Sequence, residues 1–103
     1  MKGTEKQIAW AEDIRNNMIK TCDLKIERFA DTIPEDAAIF RAIREKCVIF
    51  LDRVNQHPQA NEAKFWIDKR DRMPDPLKIY SQVQLLTMRG KSVDEALKTI
   101  FGY

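Results

Sequence analysis

Histidine is almost missing from this sequence. His57 is the only one, and it stands beside Pro58 in a breaker-rich stretch. A lone histidine without a partner motif reads as a loop residue, not as half of an acid–base pair or a metal ligand. Glycine and proline are also scarce, at three and four residues. That leaves no Gly-rich phosphate loop and few places to break a helix. No Ser nucleophile elbow occurs, and no Cys/His ligand spacing. The Glu-x-x-His pattern of bundle metal sites is missing as well. The sequence therefore predicts no cofactor, no metal and no catalytic constellation, and a protein that is not an enzyme.

Charge of one sign is missing too. Eighteen basic residues face sixteen acidic ones, for a net charge of +2. The balance is even along the chain, with nine basic and nine acidic residues in 1–50 and nine and seven in 51–103. A basic surface would have to be gathered by folding. No apolar run reaches the ~18 residues of a membrane span. The opening Met1-Lys2-Gly3-Thr4-Glu5-Lys6 lacks the apolar stretch of a signal peptide. The expectation is a cytoplasmic protein without membrane contact. Cys22 and Cys47, the only cysteines, then read as reduced, semi-buried thiols.

What the sequence has is helical periodicity. At 103 residues and 44% hydrophobic content, it can build one domain with one core. Ile8, Ala11, Ile14, Met18, Cys22, Ile26, Phe29 and Ile33 recur in steps of three and four, which traces one stripe. Thr4 with Gln7 fits a capping box at the start. The stripe favours one long helix to about Ala30. The alternative is a break near Thr21–Asp23, with Asp23 capping a second helix. Thr32 with Glu35 offers another box, and Pro34 suits a first turn. A second helix follows to about Asn55, with Ile39, Phe40, Ile43, Cys47, Phe50, Leu51 and Val54 inward. His57-Pro58 ends it.

A third helix is predicted over Asn61–Arg72, with Ala63, Trp66 and Ile67 inward. Residues 73–76 read as a rigid loop. A fourth helix covers Leu77–Arg89, with Leu77, Tyr80, Val83 and Leu86 inward and Gly90 ending it. Ser92 with Glu95 caps a fifth helix, Val93–Phe101, burying Val93, Ala96, Leu97 and Ile100. No segment alternates as a strand does. The expectation is a single all-α bundle of about five helices, in which three shorter ones cover a long antiparallel hairpin.

The least ordinary stretch is Lys64-Phe65-Trp66-Ile67-Asp68-Lys69-Arg70-Asp71-Arg72, two aromatics among four cations. On a continuous helix Arg70 would lie over Trp66 and Lys69 over Phe65. One reading is a nucleic-acid or protein contact, with cations for phosphate and a ring for stacking. The plainer and favoured reading puts Trp66 in the core and Phe65 half-covered, with Asp68 pairing to Lys64 and Arg72. Residues 82–101 have the outline of a helix-turn-helix, but Asp94 and Glu95 open the would-be reading helix. A simple helix hairpin fits better. Trp10, one turn after Lys6, lies off the main stripe, either at the core edge, the commoner place, or on a partner surface.

Gly3-Thr4-Glu5-Lys6-Gln7-Ile8-Ala9-Trp10-Ala11-Glu12-Asp13-Ile14-Arg15 is similar to the opening of small proteins from Gram-positive bacteria, their phages and their plasmids. Ala63-Lys64-Phe65-Trp66-Ile67-Asp68-Lys69-Arg70 resembles a later element of the same proteins, where a second Trp often stands at the position of Phe65. The resemblance covers about a fifth of the chain, and the group has no established activity. It implies a phage or mobile-element origin and a meeting of Trp10 with Trp66. In that setting the leading expectation is a binding protein that inhibits a host defence nuclease, as an anti-CRISPR protein does, by protein–protein contact. The alternatives are a nucleic-acid accessory protein using Lys64, Lys69, Arg70 and Arg72 with Arg89 and Lys91, and a homo-oligomer or homodimer paired through the first helix. The candidate interaction residues are these six cations with Lys6, Trp10, Phe65 and Trp66.

Overall fold

The computed structural model describes residues 1–103 and contains helices without a β-sheet. Helix α1 runs unbroken over Glu5–Phe29. Thr4 caps it as expected: its hydroxyl accepts from Gln7 N at 3.2 Å, and Gln7 Oε1 accepts from Thr4 N at 3.0 Å. The anticipated weak point at Thr21–Asp23 is not a break. Asp23 is instead held across the hairpin by Arg44, Nε to Oδ1 2.7 Å, which is the only ion pair in the molecule.

Helix α2, Pro34–Asn55, returns along α1 after a four-residue turn. Its start differs from the expected Thr32 box. Ile33 is the N-cap, with no side-chain bond, and it is 42% exposed. The reason is Pro34 at the first helical position, whose ring pushes the preceding residue out of the helical region; Ile33 takes φ −137°. Thr32 turns back to close α1, its hydroxyl donating to Arg28 O.

The predicted third helix is shorter than expected. Helix α3 is Ala63–Asp68, flanked by 3-10 turns at Pro58–Asn61 and Arg70–Arg72. At its start the Ala63 N–H is taken by Lys2 O at 2.8 Å, while Lys2 N donates to Asn61 O at 2.7 Å. The N-terminal segment thus straps the beginning of α3. At its end Lys69 leaves helical geometry (φ −100°, ψ 6°). Helix α4, Pro76–Met88, also starts earlier than the loop reading allowed. Pro76 is its first residue, and the Asp75 carboxylate caps it, accepting from Leu77 N and Lys78 N. Gly90 ends it with φ +92°, and Ser92 opens α5, Val93–Phe101, by accepting from Glu95 N at 3.1 Å.

Two apolar clusters hold these elements together. The larger joins Met18 and Cys22 of α1, Phe40, Ile43 and Cys47 of α2, Ile79 and Val83 of α4, and Ala96 and Leu97 of α5. The smaller lies under the first half of α1 and consists of Ala11, Ala60, Ala63 and Trp66. So α3 covers one end of the long hairpin, and α4 with α5 cover the rest. Leu77, expected inward, is 48% exposed, and Ile79 takes the inner place. No helix is long and apolar enough to cross a membrane.

Candidate partner-binding face

Trp66 is the centre of the smaller cluster and has no exposed surface. Burying an indole requires a partner for its N–H. Nε1 donates to Ala60 O at 2.9 Å, so the 3-10 turn before α3 exists partly to present that carbonyl. Trp66 is therefore excluded from the candidate interaction surface. Phe65 is half-buried as expected. It packs edge-to-face with Trp66 at 5.7 Å and stacks on His57 at 5.3 Å with a 16° tilt between rings. His57 is more than a solvated loop residue: its Nδ1 accepts from Gln59 N at 3.2 Å and opens the 3-10 turn.

The break after Asp68 redirects Arg70. It does not lie over Trp66, nor does Lys69 lie over Phe65. The Arg70 guanidinium instead lies 5.2 Å from the ring centroid of Trp10 on α1. One of its nitrogens, Nη1, donates to Ile67 O at 2.7 Å, closing the end of α3. Arg70 is fixed at two points and still has N–H groups free for an incoming acceptor. Trp10 itself is 48% exposed. It is not a core-edge residue, and it does not pair ring to ring with Trp66; Ala11, one residue on, makes that tie.

Next to this pair is a groove of about 390 Å³ between α1 and residues 73–77, bordered by Ile14, Asn17, Arg70, Met73, Pro74 and Leu77. Ile14 and Asn17 continue it to a depression beside Trp10, Asp13, Asn16 and Lys20. The face thus joins an exposed indole, a positioned cation, the amides of Asn16 and Asn17 and the apolar side chains of Ile14, Met73 and Leu77, with Asp13, Lys20 and Asp75 around them.

The remaining cations are dispersed. Arg72 borders an adjoining groove, which shares Met73 and Pro74 with the first and places Asp71 and Asp75 beside Arg72 and Lys78. Arg89 borders a third, with Leu85 and Ile100. Lys69 is half-buried, while Lys6, Lys64 and Lys91 are exposed. Asp68 forms no ion pair with Lys64 or Arg72, contrary to expectation. Arg53 and Lys46 are occupied with the ring of Tyr103, at 4.1 and 5.3 Å.

The two thiols are not displayed. Cys22 and Cys47 are fully buried, not semi-buried, and unbridged. Hydrogen bonding between the two thiols, with burial, pushes Cys47 away from the thiolate form. No group of three His, Cys, Asp or Glu is placed to hold a metal ion. Comparison with protein-family models, curated proteins and solved structures finds no match to the chain. Fold and surface together define a small all-α bundle carrying one tryptophan–arginine face.

Proposed function

We propose that this is a non-enzymatic binding protein that occupies a surface of a partner protein through the Trp10–Arg70 face. The observation that carries the reading is the exposure of Trp10 while Arg70 is held against it. Tryptophan and arginine are the residues most enriched where binding energy concentrates, and a groove beside them offers room for a partner side chain. Arg70 held in place loses little freedom on binding, which favours affinity.

The resemblance to phage and plasmid proteins supports a host defence nuclease, including a CRISPR effector, as that partner. With a net charge of +2 the chain is no mimic of nucleic acid, so inhibition would act by blocking a site sterically. The nucleic-acid reading is disfavoured because Arg70 is engaged by Trp10 and by Ile67 O, and because the carboxylates of Asp71 and Asp75 line the groove that Arg72 borders. The homo-oligomer reading through α1 is disfavoured as well. Trp10 and Leu24 are the only large exposed apolar residues of that helix, with Asn17 and Thr21 between them.

The test is a cleavage assay on a panel of guide-loaded defence nucleases, with anisotropy titrations of labelled DNA and RNA alongside. The reading expects wild-type protein to inhibit a member of the panel, Trp10→Ala to lose that inhibition, and nucleic acid to bind neither form. Salt-sensitive binding to nucleic acid, with no nuclease inhibited, would overturn it.

A further inference from the structure

Helix α4 is apolar on both sides. Its inner side gives Ile79 and Val83 to the core. On its outer side Leu77, Leu85 and Met88 are 48, 57 and 84% exposed. At 3.6 residues per turn these three fall within about 80° of arc, opposite Ile79 and Val83. Single exposed apolar residues are ordinary, but three within one arc of a helix form a patch of the kind that a partner covers. Beside the stripe, between α4 and α5, lies a groove of about 350 Å³ lined by Gln82, Leu85, Leu86, Arg89, Thr99 and Ile100. It has one charged residue on its wall, and that residue is a cation.

Charge says what covers this face. From Pro76 to Val93 the chain has Lys78, Arg89 and Lys91 and no carboxylate. None of the three is in an ion pair. By helix geometry Lys78 and Arg89 lie on the same flank of the stripe, the flank next to the groove.

We infer that the outer face of α4 and the α4–α5 groove receive an acidic amphipathic helix of a partner protein. Its apolar side chains fill the groove and cover Leu85 and Met88, and its flanking carboxylates meet Lys78 and Arg89. A second copy of this chain fits poorly. Antiparallel pairing of α4 with itself sets Lys78 of one copy against Arg89 of the other, with no carboxylate within α4 to offset them; Asp75 is engaged as the helix cap. An anionic lipid surface also fits poorly, because Ser81 lies within the stripe, Gln84 lies at its edge, and only three large apolar residues would enter the bilayer. The inference does not depend on the Trp10 reading.

The test uses a labelled synthetic helix with leucine along one face and glutamate along both flanks, and a matched peptide with lysine in place of glutamate. Anisotropy is read against the full chain at low and physiological salt. The acidic peptide should bind at least tenfold more tightly than the basic one and weaken with salt. Leu85→Ser with Met88→Ser should reduce binding at least tenfold, Arg89→Glu should reverse the preference, and Trp10→Ala should leave both unchanged. These are exposed positions, and circular dichroism verifies that each variant is folded. Failure of the acidic peptide to bind, equal binding of both peptides, or indifference to Leu85→Ser with Met88→Ser overturns the inference. So does light scattering that shows a dimer dispersed by Met88→Ser, or sedimentation with phosphatidylserine vesicles lost in that variant.

Discussion

Gly3 and Ala63 lie so close that a methyl group on Gly3 would stand 3.0 Å from Ala63 Cβ. With Lys2 bonded to Asn61 and Ala63, this contact fastens the start of the chain to α3. Residues 3–15 and 63–70 are thus one unit in space. Gly3 has φ +145°, a conformation that side chains rarely adopt, and a new methyl would also meet Gln7 Oε1 at 3.2 Å. Gly3→Ala should destabilise the fold by about 1–3 kcal/mol. Urea unfolding measures it, and an unchanged midpoint would mean that the strap contributes nothing.

Trp66 separates shape from hydrogen bonding. Trp66→Ala should lose about 3–5 kcal/mol through the cavity it leaves. Trp66→Phe keeps much of the packing but orphans the Ala60 carbonyl, for about 1–3 kcal/mol. Both losses should appear as lower urea midpoints, with Trp66→Ala the more severe.

Trp10 should behave in the opposite way. Trp10→Ala forfeits an exposed cation–ring contact of about 0.5–1 kcal/mol and little else. Acrylamide quenching should therefore resolve two tryptophan populations in the wild type, an accessible one and a protected one. Only the protected one should remain in Trp10→Ala. A single population in the wild type would contradict the placement of one ring outside and one inside.

The helices were legible because their signals are local. Thr4, Ser92, Gly90 and the three- and four-residue steps of α1 and α2 act within a turn or two, and each works in the fold as read. The failures arose where distant parts of the chain decide. The strap of Lys2 on Ala63 shortens α3, and the break at Lys69 carries Arg70 from Trp66 to Trp10. No periodicity in residues 61–72 encodes either event. The ring of Trp10 was visible as off-stripe, yet its exposure depends on Ala11 being the residue that meets Trp66. The run Leu77, Tyr80, Val83, Leu86 advances in steps of three, which drift about 60° each round a helix, so Leu77 ends on the outer side and Ile79 takes the inner place.

Two tyrosines give the fold an alkaline limit. Burial, with the neighbouring Asp36 carboxylate, raises Tyr80 above its ordinary pKa of 10.0. Burial raises Tyr103 as well. The folded state keeps these protons at a pH where the unfolded chain has lost them. Their stabilisation is therefore complete below pH 10 and disappears as pH rises through the folded values. Unfolding midpoints followed from pH 8 upward should begin to fall near pH 10, and Tyr80→Phe should flatten part of that fall. Equal slopes in variant and wild type would remove Tyr80 from the account.

The most direct measurement is affinity capture with three folded baits, wild type, Trp10→Ala and Arg70→Ala, from Gram-positive cells expressing a defence nuclease, read by mass spectrometry after nuclease treatment of the extract. The account predicts a protein retained by the wild type and lost by both variants. Identical retention by all three baits, or retention that disappears once nucleic acid is digested, would contradict the claim that Trp10 and Arg70 form a protein-binding face.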